Sequence, residues 1–205
     1  MPFTQPKLEY GVGDLAPHLS ERQVSIHYNK HTAKYFDTTN KLIKGTVFEK
    51  KDNLEDLINK DTLVKADGVL FNNACQAYNH VFYFDGLTPA SKSGQPSAEL
   101  AAAIDQDFES FNVFKQKMTE ATVNIFGSGW CWLVVRDNKL IIKTTPNAGN
   151  PLTTDRMVPL MCIDAWEHAY LYQETYEANR QAYVDAIWNI INWDKVSQRY
   201  ADATQ

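Results

Sequence analysis

Residues 163–173 read IDAWEHAYLYQ. The stretch opens apolar, as a buried strand does. It then sets Asp164 four residues ahead of His168, with Trp166, Glu167 and Tyr170 crowded around them. A buried polar group without a partner costs on the order of several kcal/mol. An acid and an imidazole placed among large rings therefore need to converge with other polar groups, or on a metal.

Working outward, PLMCID (159–164) has the composition of a buried strand, and two more precede it. WCWLVVRD (130–137) and KLIIKTT (139–145) are apolar and β-branched, and Asp137-Asn138 joins them as a hairpin turn. Before the hairpin, Ser97 and Ser110 each precede a helical pattern, and the second pattern extends to Gly127. From Trp166 onward the pattern again predicts helix. The N-terminal half is helical throughout. Ser20 is placed to cap a long helix, with Gln23 completing a capping box and Gly45 as its stop. A short helix follows Asn53, and GVLFNNACQAYNHVFYF (68–84) predicts another long one. GLTPASKSGQP (86–96) is rich in Gly, Pro and Ser and separates the halves. The expected fold is α+β. Residues 1–89 form a domain with a long antiparallel helical hairpin. Residues 90–205 form an α/β domain with a three-stranded antiparallel sheet surrounded by helices.

Composition narrows the function. The 205 residues carry a net charge of −5, with 44% hydrophobic and 12% aromatic content. No basic run or repeat points to nucleic acid. No apolar stretch approaches the roughly 20 residues needed to span a bilayer. The start, MPFTQPKLEYGVG, has no basic segment followed by an apolar one, so no secretory signal is expected. Cys75, Cys131 and Cys162 are odd in number and lack metal-site spacing. They are expected to be reduced, buried thiols, and the cytoplasm is the expected compartment.

Three polar groups recur at helical spacing. His27, His31 and Tyr35 are spaced four apart, as are Gln76 and His80, and Asp164 and His168. His27, His80, Asp164 and His168 make a plausible three-histidine, one-carboxylate set, suited to iron, manganese or zinc. Spacing alone leaves the alternatives open: hydrogen-bonded structural histidines, or solvated helix faces.

Five stretches in order carry a resemblance: HYNKHTAKY (27–35), FNNACQAYNH (71–80), FGSGWCWL (126–133), NAGNPLT (147–153) and DAWEHAY (164–170). Over nearly its whole length the chain resembles the iron/manganese superoxide dismutases. The resemblance implies His27, His80, Asp164 and His168 as the four protein ligands of one metal ion per subunit, with solvent as the fifth. His31 and Tyr35 match the gateway pair, and Gln76 the outer-sphere amide beside the metal. Trp130 and Trp166 match the aromatic shell. Glu167 matches the residue that pairs with the ligand histidine of another subunit, so a homodimer or a tetramer is implied. Arg180 matches the funnel arginine, and Lys30 is a candidate to make the funnel positive for an anionic substrate.

The implied reaction converts two superoxide ions and two protons to O2 and H2O2. It needs a metal that changes oxidation state, which zinc does not. A zinc hydrolase and a non-catalytic relative are the rival readings. Gln76 on the helix of His80, and Ala148 in NAG, are the iron-type arrangement, so iron is expected, with manganese or either metal as the alternative. Departures from the family pattern are Cys162 two residues before Asp164, and Tyr78 where tryptophan is common. His168 and Arg180 lie twelve residues apart, two more than the family's usual ten. That insertion leaves either Leu171 or Tyr172 in place of the usual second tyrosine.

Overall fold

The computed structural model describes residues 3–59, 68–153 and 157–205. The first long helix forms as α1 (Glu21–Ile26) and α2 (Ala33–Ile43), joined by a π-helical turn over His27–Thr32. Within that turn Thr32 Oγ1 donates to the His27 carbonyl at 3.0 Å. A π turn carries an extra residue, and such turns are frequent at functional sites. This one contains both His27 and His31.

Ser20 caps α1, accepting from the Gln23 N–H at 3.2 Å. The expected capping box does not close: the Gln23 side chain reaches instead to His168 and Tyr172. Asn53 caps α3 (Leu54–Ile58). The second long helix, α4 (Gly68–Asp85), packs against α2 as the expected hairpin.

In the C-terminal half, Ser97 caps α5 (Ala98–Phe108) and Ser110 caps α6 (Phe111–Val123). The helix α6 stops four residues short of Gly127. Arg180 explains the stop, because its guanidinium takes the carbonyls of Val123, Ile125 and Gly127 at 3.3, 2.6 and 2.7 Å. Strands β1 (Gly129–Arg136), β2 (Lys139–Pro146) and β3 (Val158–Asp164) form an antiparallel sheet in the order β2-β1-β3. Asp137 and Asn138 both have positive φ, 51° and 59°, as a tight hairpin turn between right-twisted strands requires. The β1–β3 register places Trp130 opposite Asp164.

After β3 the chain departs from expectation. Residues 166–179 are not α-helical; they form two 3-10 turns, Glu167–Ala169 and Glu174–Tyr176. Glu177 and Ala178 then adopt positive φ, 47° and 59°, which ends any helix. Helix resumes at α7 (Arg180–Ile187) and α8 (Trp193–Ala203), each started by an asparagine cap. Cys75, Cys131 and Cys162 are free and buried, as expected.

Candidate metal centre

The four sequence-predicted ligands converge. His27, His80 and Asp164 are buried and His168 nearly so, with one ligand atom from each lying within 4.8 Å of all the others. Each comes from a different element: the π turn, α4, the end of β3, and the 3-10 turn after it. Asp164 Oδ2 lies 3.2, 3.3 and 3.8 Å from Nε2 of His27, His168 and His80. Its Oδ1 accepts the Trp166 N–H at 2.9 Å, which pins the carboxylate's second oxygen.

The protonation pattern leaves lone pairs facing inward. His80 Nδ1 lies 2.7 Å from the Gln76 backbone carbonyl, an acceptor, so the proton sits on Nδ1 and Nε2 is free to ligate. His80 Nε2 and His168 Nε2 approach to 3.1 Å. Burial lowers the His27 pKa from its ordinary 6.5 to about 4, against the opposing pull of Asp164. Burial likewise drives His80 well below its usual range. Burial works against ionisation of Asp164, but the neighbouring imidazoles of His168 and His27 outweigh it and hold the carboxyl below its usual range. His27 Nε2 is buried and makes no hydrogen bond. A buried imidazole nitrogen without a hydrogen bond, facing a carboxylate and two more imidazoles, is a donor arrangement that fits a bound cation. The nitrogen and oxygen donor set, without thiolate, fits iron or manganese.

Around the ligands, Gln76 is held at both ends of its amide. Its Oε1 accepts from Trp130 Nε1 at 3.0 Å, and its Nε2 donates to Tyr35 Oη at 3.3 Å. Because an indole N–H only donates, Trp130 dictates which way the amide faces. Burial raises the Tyr35 pKa, so the phenol stays protonated. The His31 and Trp166 rings each stack on His168, at 4.8 and 5.4 Å between centroids. A cavity of about 290 Å³ lies beside this shell, lined by Tyr35, Gln76, Asn147, Ala148 and Trp166 among others. Ala148 is buried, its carbonyl accepting from Asn79 Nδ2 at 3.3 Å. Gly149 must be glycine here, since a Cβ would come within 2.8 Å of Thr145 Cβ.

Other predicted residues are placed differently. Tyr78 stacks on Phe82 and lines a separate cavity with Phe3, Phe36 and Arg199, away from the four ligands. Arg180 spends its donors on three carbonyls and on Tyr170 Oη, acceptors that leave its charge unneutralised. Lys30 and Glu167 are exposed. The sequence reading missed Gln23 and Asn79. Asn79 adjoins His80 inside a quoted motif and was the more findable of the two. Gln23 looked like a local cap.

The fold and centre define a metalloprotein class in which, among the described residues, one four-donor cluster suited to a mononuclear metal lies buried between a helical hairpin and a small sheet. The family description "Iron/manganese superoxide dismutases, alpha-hairpin domain" matches residues 2–88, and "Iron/manganese superoxide dismutases, C-terminal domain" matches 96–199. The chain belongs to the iron/manganese superoxide dismutase family. It is 41% identical over 206 residues to the protein named "Superoxide dismutase (Fe)" of Plasmodium falciparum (isolate 3D7), covering 100% of both chains. To the protein of the same name from Escherichia coli (strain K12) it is 44% identical over 202 residues, covering 98% of this chain and 100% of that one.

Proposed function

We infer that this protein is a superoxide dismutase holding one iron ion through His27, His80, Asp164 and His168. The orphaned His27 Nε2 within the four-donor cluster is the observation that carries the reading. Iron there supplies one-electron chemistry, so that one superoxide is oxidised to O2 while a second, with two protons, becomes H2O2.

The chain's own residues do the rest. Tyr35, protonated because buried, holds a proton beside the Gln76 amide. Trp130 fixes that amide's orientation. His31 and Trp166 both stack on His168 and shield most of its ring from bulk water. Arg180, with Lys30 at the surface, supplies positive charge that draws an anion toward an otherwise acidic protein.

Iron over manganese is supported by Gln76 reaching the site from α4, by Ala148 in the loop opposite, and by the names of the relatives. A homodimer is part of the same reading. Phe126 is fully exposed, Leu171 is half exposed, and Glu167 is exposed beside His168. An apolar surface next to the ligand turn suits a twofold contact with a second copy. Division of the chain near residue 89 is supported by the two family matches, one ending at residue 88 and the other beginning at residue 96. Free buried thiols support a reducing compartment, the cytoplasm. Among the described residues no helix is long and apolar enough to cross a membrane.

The test is to strip the metal, reload iron and manganese separately, and assay superoxide consumption per bound metal. Higher activity with iron is expected, and Gln76→Gly with Ala148→Gln should shift the ratio toward manganese. Equal wild-type activities would sink the iron preference.

A further inference from the structure

The loop between His168 and α7, two residues longer than the family pattern, hangs from the start of the helix that carries His27. Gln23 is completely buried there. Its Nε2 donates to the His168 carbonyl at 2.7 Å, and its Oε1 accepts the Tyr172 N–H at 2.9 Å. Gln23 stands four residues before His27, about one helical turn. One helix thus presents the His27 imidazole and, a turn earlier, grips the backbone of His168 from the other domain. A second buried amide, Gln173, ties the same loop to the same segment: its Oε1 accepts the Ser20 N–H at 2.6 Å, and its Nε2 donates to the Pro17 carbonyl at 3.4 Å. His168 lies on a single 3-10 turn, which by itself sets its orientation weakly.

We propose that Gln23 is a positioning residue of the metal site, setting through the His168 carbonyl where that imidazole meets those of His27 and His80. The role demands a carboxamide, because one end must donate and the other accept. Leucine leaves the His168 carbonyl and the Tyr172 N–H, both half-buried, without these partners. Glutamate keeps the acceptor for Tyr172 but sets a carboxylate oxygen against the His168 carbonyl. The proposal rests on reading His168 as a metal ligand and extends it to a residue whose sequence context suggested only a cap.

The experiment compares iron-loaded, full-length Gln23→Glu, Gln23→Leu and Gln173→Leu with the wild type. It reads iron release to excess chelator, the visible absorption of the ferric form, and thermal melting. Both Gln23 variants should release iron roughly ten-fold faster, the scale seen when a partner of a ligand is removed, with a displaced absorption band. Gln173→Leu cuts the same loop from the same segment without touching a ligand residue. It should melt lower yet keep wild-type release and spectrum. The proposal is overturned if Gln23→Glu keeps wild-type release and spectrum, or if Gln173→Leu matches it in both. Should Gln23→Leu not fold, the isosteric Gln23→Glu alone decides the matter. A wild type that takes up no iron sinks the metal-site reading and this proposal with it; a wild type that binds iron confines any failure to Gln23.

Discussion

Trp130→Phe separates the aromatic wall's packing from its effect on Gln76. Trp130 is completely buried, and its indole N–H is the group that holds Gln76 Oε1. Removing that donor leaves a buried acceptor unpaired, a cost of about 1–3 kcal/mol. The smaller ring also leaves roughly 40 Å³ empty, which at about 24 cal/mol per Å³ adds about 1 kcal/mol. Together these give about 2–4 kcal/mol. At about 2–4 °C per kcal/mol for a chain of this size, the melting temperature should fall by roughly 5–15 °C.

Trp132→Phe is the control. Trp132 is equally buried on the same strand, but its Nε1 donates to Thr145 Oγ1 at 2.9 Å, away from Gln76. Both variants should melt lower. Only Trp130→Phe should lose activity per bound iron, by roughly ten-fold, because only there is the amide released from its orientation. Calorimetry and superoxide consumption normalised to iron content read the two effects. Equal activity per iron in both variants would refute the claim that Trp130 acts through Gln76.

Two further outcomes follow from the centre. Burial holds His27 at about 4 and His80 well below its ordinary value, so below pH 6.5 the unfolded chain binds protons that the folded one does not. The metal-free protein should therefore be most stable above pH 6.5 and weaken as pH falls from 6.5 toward about 4, by up to about 1.4 kcal/mol per pH unit for each histidine; a urea midpoint unchanged between these values would contradict the burial argument. Glu167→Ala should weaken self-association and iron retention together, whereas sedimentation showing a wild type that is monomeric, iron-loaded and active at micromolar concentration would remove the dimer from the reading.

Much of this protein is written in neighbouring residues. Ser20, Asn53, Ser97 and Ser110 each accept a backbone N–H three residues on, so helix starts were readable. Asp137-Asn138 was readable as a turn for the same local reason. The ligand types and their four-residue spacings were legible too, and the motifs around them carried the family. Distant segments decided the remainder. The guanidinium of Arg180 ends α6 by capturing carbonyls from a residue more than fifty positions away. Long-range hydrogen bonds tie residues 168–176 to 17–23 where the local pattern read as helix. The π turn sets His27 and His31 on a widened backbone that spacing arguments treat as regular. Tyr78, on the ligand helix, turned to a different cavity. A cap or a turn is satisfied by atoms within a few residues, so the sequence by itself determined those elements and the donor chemistry. Bringing His27, His80, Asp164 and His168 to within 4.8 Å depends on the packing of two helices against a sheet edge, and only the tertiary structure decided that.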